Sequence, residues 1–138
     1  MRNLNVLLTA SLLSLSFVFV RCTSDAASVP STEEILVRNS WSVDYYFQGQ
    51  DMTSDFGNST LLFSNTGSVG YQKNGEIVAG TWNKSVDASN NEVIVIHFNT
   101  TDVNISRLNE SWKVADRSSN LLQLEENTTN SLFRIKRQ

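Results

Sequence analysis

From residue 41 to residue 136 the chain repeats short runs in which apolar and polar positions alternate, which is the period of a half-buried β-strand. The first run places Trp41, Val43, Tyr45 and Phe47 on one face. Turn-forming residues separate the runs, and Asn74-Gly75 is the strongest hairpin signal because both residues accept positive φ. The pattern predicts eight strands, at residues 41–47, 60–64, 68–71, 76–83, 92–98, 112–117, 121–125 and 132–136.

Eight short strands joined mostly by tight turns predict an all-β, up-and-down meander that closes into a barrel or half-barrel, because closure removes exposed sheet edges. A two-sheet sandwich is the alternative. The run 92–98 is apolar on both faces, which predicts a central strand covered on both sides. The alternation is lost over residues 101–110, where Val103, Ile105 and Leu108 are expected to pack as a plug.

A short helix is expected before the first strand. Ser31 and Glu34 have the spacing of a capping box in front of Ile35, and the helix should end by Asn39. The predicted β domain therefore covers residues 31–138.

The N-terminus reads as an export signal. Arg2 precedes an apolar run from Val6 to Val20, which is long enough for a signal peptide over residues 1–21 but short for a membrane span. An uncleaved membrane anchor is the alternative. Residues 22–30 are small and polar, and they are expected to form a tether.

The single cysteine, Cys22, directly follows the apolar run and cannot form a disulfide within the chain. Bacterial lipoprotein signals end just before a cysteine that is then acylated, so Cys22 is the predicted lipid anchor, although Arg21 stands where a small residue is usual. The expected location is the cell envelope, as an outer-membrane lipoprotein. Ordinary cleavage near Ala26-Ala27 would instead give a secreted protein.

The charge balance argues against nucleic acid as a partner. Without residues 1–21 the chain keeps nine Lys and Arg against fourteen Asp and Glu, a net charge of −5. A chain this acidic lacks the basic surface that phosphate backbones and anionic lipids require.

The residues for catalysis and metal binding are scarce. His97 is the only histidine, and its position between apolar residues of a strand favours a structural role over that of a catalytic base. Asp51, Asp55 and Asn58 share a loop but lack the fixed glycine and terminal glutamate of a calcium-binding loop. The sequence thus predicts a protein that is not an enzyme and has no metal or cofactor.

The aromatic residues are the most distinctive feature of the predicted barrel. They could line a cavity for a small apolar ligand or simply fill the interior, since an eight-stranded barrel has room for its own side chains or one small ligand. The candidate ligand-binding residues are Trp41, Tyr45, Phe63, Tyr71, Trp82, Ile96 and Phe98. The alternative is a solid barrel that contacts a protein or glycan through loops 49–58 and 85–91.

Several segments together suggest a family. They are Trp41-Ser42-Val43, the turn 62–67, Gly80-Thr81-Trp82, residues 108–114 and Leu122-Gln123-Leu124. The chain resembles the small lipocalin-like lipoproteins of the Bacteroidetes over residues 35–138, although lipocalins carry Gly-x-Trp on their first strand. The resemblance implies a barrel and envelope anchoring, and it implies no reaction and no ligand residues.

Overall fold

A computed structural model describes residues 30–138. The predicted signal peptide, Cys22 and residues 22–29 of the predicted tether lie outside the described residues. Helix α1 spans Thr32–Val37 and α2 spans Val103–Ser106. The strands are β1 (Ser40–Gln48), β2 (Ser59–Phe63), β3 (Ser68–Lys73), β4 (Glu76–Val86), β5 (Glu92–Phe98), β6 (Ser111–Arg117), β7 (Leu121–Glu126) and β8 (Ser131–Arg137). None of the helices within residues 30–138 has the length and apolar content needed to cross a membrane.

The eight strands form a closed antiparallel barrel in sequence order. Pairing of β1 with β8, from Trp41 opposite Arg137 to Gln48 opposite Ser131, completes the closure. The predicted meander and barrel are confirmed, and the sandwich alternative is wrong. Closure leaves no long unpaired edge along β1 or β8, which is the physical advantage of a barrel over an open sheet.

The meander gives the barrel two different ends. At the helix end, α1 packs beside the β2–β3, β4–β5 and β6–β7 connections. At the loop end lie the β1–β2 loop, which contains a short 3₁₀ helix at Thr53–Phe56, the β3–β4 turn, the β5–β6 loop with α2, and the β7–β8 turn.

Helix α1 closes the helix end. The predicted capping box is present, because Glu34 N–H donates to Ser31 Oγ at 3.2 Å and Ser31 N–H donates to Glu34 Oε2 at 2.9 Å. Leu36 is fully buried, and its carbonyl accepts a hydrogen bond from Trp41 Nε1 at 3.0 Å. The helix therefore acts as part of the core.

The loop end is covered by irregular segments. Phe56 of the 3₁₀ helix is buried, as are Ile105 and Leu108 of the β5–β6 loop, so the predicted plug is confirmed at these two positions. Val103 was also expected in the plug, but it is 64% exposed because α2 turns it away from the barrel.

Strand β1 departs from its predicted alternation. A β-bulge between Val43 and Tyr45 shifts the register against β8, so that Tyr46 faces Phe133 inside the barrel while Tyr45 faces Arg134 outside. The prediction that Tyr45 and Phe47 point inward is therefore wrong. One extra residue in a strand moves every following side chain to the other face.

Strand β5 has the predicted bounds but not the predicted cover. Ile94, Ile96 and Phe98 point into the core, whereas Val95 is half-buried and His97 is exposed on the outer face. The outer face is therefore covered at Val93, which is buried, but not along the rest of the strand, because the wall of a single closed barrel has only one continuously buried face.

Candidate functional site

The predicted ligand-binding residues lie inside the barrel, with one exception. Six of them are buried and belong to one core cluster: Trp41, Phe63, Tyr71, Trp82, Ile96 and Phe98. Tyr45 is the exception, because its ring lies on the outer face with the Arg134 guanidinium 5.5 Å from its centroid. The barrel thus brings six of these side chains together, and they contact one another.

The aromatic rings pack edge to face. The Phe63 and Trp82 ring centroids are 5.5 Å apart and those of Tyr71 and Phe98 are 6.4 Å apart. Gly80 allows this packing, since a Cβ at this residue would lie 2.6 Å from Cδ1 of Phe98. Such T-shaped pairs stabilise a core beyond the area they bury.

A second aromatic group fills the loop-end half of the barrel. The Tyr46 ring centroid lies 4.8 Å from that of Phe56 and 6.0 Å from that of Phe133, and Trp112 lies 5.3 Å from Phe133. The period-two pattern placed Tyr46 outside, and only recognition of the bulge would have found it. Burial raises the pKa of Tyr46 to about 12, and its hydroxyl donates to the Arg107 carbonyl at 3.1 Å.

The three tryptophans connect the barrel wall to the segments that cover its ends. Besides the bond from Trp41 to α1, Trp112 Nε1 donates to the Leu108 carbonyl at 3.0 Å and Trp82 Nε1 donates to the Ser64 carbonyl at 2.9 Å. Within residues 30–138, every buried side-chain nitrogen and oxygen has a hydrogen-bond partner. These contacts are those of a packed protein core.

A polar crevice of about 570 Å³ opens at the loop end. This volume is within the range of small-molecule sites. Three connections that are distant in sequence form its walls: the 3₁₀ helix, the β3–β4 turn and the β5–β6 loop. Its lining residues are Asp55, Tyr71, Lys73, Asn74, Glu76, Val78, Thr100, Thr101, Asp102, Asn104 and Ile105.

The walls of the crevice are held by an ion pair. Arg107 Nη1 lies 3.3 Å from Asp55 Oδ2 and 2.6 Å from Asn104 Oδ1. Asp102 caps α2 by accepting bonds from the backbone N–H groups of Asn104 and Ile105. Arg107 therefore joins the 3₁₀ helix to the β5–β6 loop.

Tyr71 connects the core to the crevice. Its ring belongs to the buried cluster, yet the residue also lines the crevice. Burial raises the pKa of Tyr71, and the neighbouring Ser59 hydroxyl partly offsets that effect. The phenol is therefore neutral at physiological pH, and its oxygen can accept a hydrogen bond from a ligand.

The two loops predicted as recognition surfaces lie at opposite ends. Loop 49–58 contributes Asp55 to the crevice, while loop 85–91 lies at the helix end. In the latter, Asp87 accepts bonds from Ser89 and Asn91 within the same turn. No pattern in the sequence indicates that the β3–β4 turn contributes to the crevice, because tertiary folding alone places this turn beside residues 100–105.

The polar residues considered for metal binding and catalysis have other surroundings. Asp51 accepts two hydrogen bonds from Thr53, and Asp55 pairs with Arg107. Residues 30–138 contain no group of three or more His, Cys, Asp or Glu side chains that could hold a metal ion. His97 lies on the outer face of β5, away from the crevice lining.

Comparison with known proteins gives one structural neighbour and no family. No family model matches the chain, and no curated protein matches it. The fold is similar to the crystal structure of a DUF4847 family protein from Bacteroides vulgatus ATCC 8482, with a TM-score of 0.55 and 15% identity over 77% of this chain and 96% of that chain. At this identity the likeness supports the fold alone. It agrees with the expected small barrel of the Bacteroidetes and adds nothing on a lipocalin-type ligand or a lipid anchor.

Proposed function

We propose that the protein is a non-enzymatic binding module of the cell envelope, in which a solid barrel presents the loop-end crevice to a hydroxyl-rich ligand of the glycan class. The observation that carries the proposal is the crevice itself, whose walls are joined by the Asp55–Arg107 ion pair and whose lining includes Tyr71. A small apolar ligand inside the barrel is less well supported, since the side chains expected to line a cavity contact one another.

The chemistry of the lining favours sugar hydroxyls. Amide groups of Asn74 and Asn104 can donate and accept, hydroxyls of Thr100 and Thr101 can do both, and carboxylates accept. The charged lining groups are three carboxylates and Lys73, with Arg107 beside them. This slight negative balance disfavours anionic ligands such as phosphates.

If the protein is anchored through Cys22, the direction of the chain places the crevice on the side away from the membrane. Residue 30 enters the barrel at the helix end through α1, whereas the crevice opens at the loop end. A lipid on Cys22 would hold the helix end near the membrane, and the crevice would face away from it.

The test is a glycan array followed by calorimetric titration of any oligosaccharide that binds. Tyr71→Phe removes only the phenolic oxygen, so binding should weaken by roughly tenfold, the effect of one lost hydrogen bond to a ligand. Tyr45→Phe is the matched control on the outer face and should bind like the parent. A protein that captures no glycan, or a Tyr71→Phe variant that binds as tightly as the parent, would disprove the crevice assignment.

A further inference from the structure

Two grooves lie on the outer face of the barrel, on either side of a ridge formed by Glu125, Glu126 and Asn127. The first, the Phe47 groove, has a volume of about 360 Å³ and is also lined by Leu132, Asn130 and Ser131. The second, the Val95 groove, has a volume of about 370 Å³. Its other lining residues are Ser85, Val86, Asp87, Val93, Ser111, Lys113 and Thr128. Both grooves include the three ridge residues, so they form one continuous surface.

Each groove has a few apolar side chains within a mostly polar lining. The bulge in β1 turns Phe47 outward, where it pairs with Leu132 of β8. On the other side of the ridge, Val95 is half-buried and Val86 is 66% exposed. Helices α1 and α2 line neither groove, so neither helix covers these apolar side chains.

The strand register joins the two grooves across five strands. Val93 of β5 pairs with Lys113 of β6, and Lys113 with Glu125 of β7. Glu125 pairs with Leu132 of β8, which pairs with Phe47 of β1. Side chains paired in this way share one face of the wall, so Phe47 and Leu132 stand at one end of a row, the buried Val93 at the other, and charged residues between them.

The lining of the two grooves carries more negative than positive charge. Three carboxylates line the two grooves, those of Asp87, Glu125 and Glu126, whereas Lys113 is the one cation of their lining. Lys113 lies 4.0 Å from Glu125, so the excess charge is negative. Hydrogen bonds from Thr128 and Thr129 hold the Glu126 carboxylate in place at the ridge.

We propose that this outer surface docks a protein segment that carries both basic and apolar side chains, with the apolar side chains in the two grooves and the basic ones against the Glu125–Glu126 ridge. Charge complementarity argues for a basic segment and against an anionic lipid or nucleic acid surface. The apolar side chains in the grooves, Phe47, Leu132 and Val86 among them, argue for side chains such as leucine or phenylalanine between the basic residues. The proposal is independent of the crevice, which lies at the loop end and shares no lining residue with either groove.

The test is a titration of the ¹⁵N- and methyl-labelled mature protein with a nine-residue peptide that alternates leucine and lysine between terminal glycines. Saturable shifts are expected at Phe47, Leu132 and Val95. Leu132→Ser should weaken binding by roughly tenfold, because it removes most of one apolar contact. Glu125→Gln should weaken binding less and reduce its salt dependence. Leu62→Ser is the matched control, since Leu62 is 42% exposed on β2 and lines neither groove.

Peptide variants separate this docking mode from simple charge attraction. Replacing leucine by serine in the peptide should abolish the shifts at Leu132 and Val95, and replacing lysine by glutamate should do the same. The proposal is overturned if the serine–lysine peptide binds as well as the leucine–lysine peptide. It is equally overturned if no saturable shifts occur, or if they fall on the crevice residues instead. Thermal unfolding of each variant shows whether it is folded, and Glu125→Gln tests the surface without removing an apolar contact.

Discussion

The helix end of the barrel is covered by a capped helix, whereas the loop end is covered by irregular segments. At the helix end, α1 buries Ile35 and Leu36 and fixes its first turn through Thr32, which donates to Glu92 at 2.8 Å and accepts from Arg117 at 2.7 Å. At the loop end, irregular segments bury a few apolar side chains but leave a polar crevice above them. Both ends are packed against the core, and the proposed function rests on the crevice at the loop end.

The largest expected loss of stability comes from a substitution in the core, between the two ends of the barrel. Trp82→Ala should lower the free energy of unfolding by about 3–5 kcal/mol, because it removes a buried indole, its contact with Phe63 and its hydrogen bond to Ser64. Urea denaturation followed by far-UV circular dichroism measures this change. Should the variant retain its stability but lose an apolar ligand, Trp82 would line a cavity.

A smaller effect is expected at the helix end. Thr32→Val keeps the side-chain volume but removes the hydroxyl between Glu92 and Arg117, so unfolding should become easier by about 1–3 kcal/mol. Thr100→Val at the loop end is the matched control, and it should change stability by less than about 1 kcal/mol since its hydroxyl only accepts from the exposed Asp102 N–H. Equal losses of unfolding free energy in the two variants would contradict a difference between the helix end and the loop end.

The smallest expected effect depends on pH and lies in the β7–β8 turn. Hydrogen bonds, above all from the Thr129 hydroxyl, lower the pKa of Glu126 from 4.5 to about 2. A carboxyl whose pKa is lower in the folded state stabilises the fold above pH 4.5, and this contribution is lost as the pH falls towards 2. Glu126→Gln should therefore be less stable than the parent at pH 7, and thermal unfolding should show the gap closing below pH 4.5. A constant gap from pH 7 to pH 2 would contradict this account.

The strands were predictable from the sequence because each keeps one face against the core, and that constraint leaves a period of two in the residue types. The bulge was not predictable, because the residues around Asp44 alternate between apolar and polar types as they would in a regular strand. A single inserted residue there exchanges Tyr45 for Tyr46 in the core. The capping box at Ser31 was predictable, since it needs only local spacing.

The candidate site was harder to predict from the sequence than the fold. The sequence identifies Asp55 as a polar residue of loop 49–58. Its partner Arg107 is 52 residues away, and only the folded barrel brings the two together. Tyr71 was correctly placed inside, yet its position at the floor of a polar crevice follows from the course of the β5–β6 loop. Sites formed by several connections leave no periodic signal in any one of them.

The measurement that tests the central claim most directly is native mass spectrometry of residues 31–138, produced in a bacterial periplasm and purified without detergent. A filled barrel predicts a single mass equal to that of the polypeptide, unchanged by added fatty acids or sterols. A reproducible extra mass that disappears on denaturation and is displaced by fatty acids would contradict it. Such a result would show that the aromatic cluster opens around an apolar ligand.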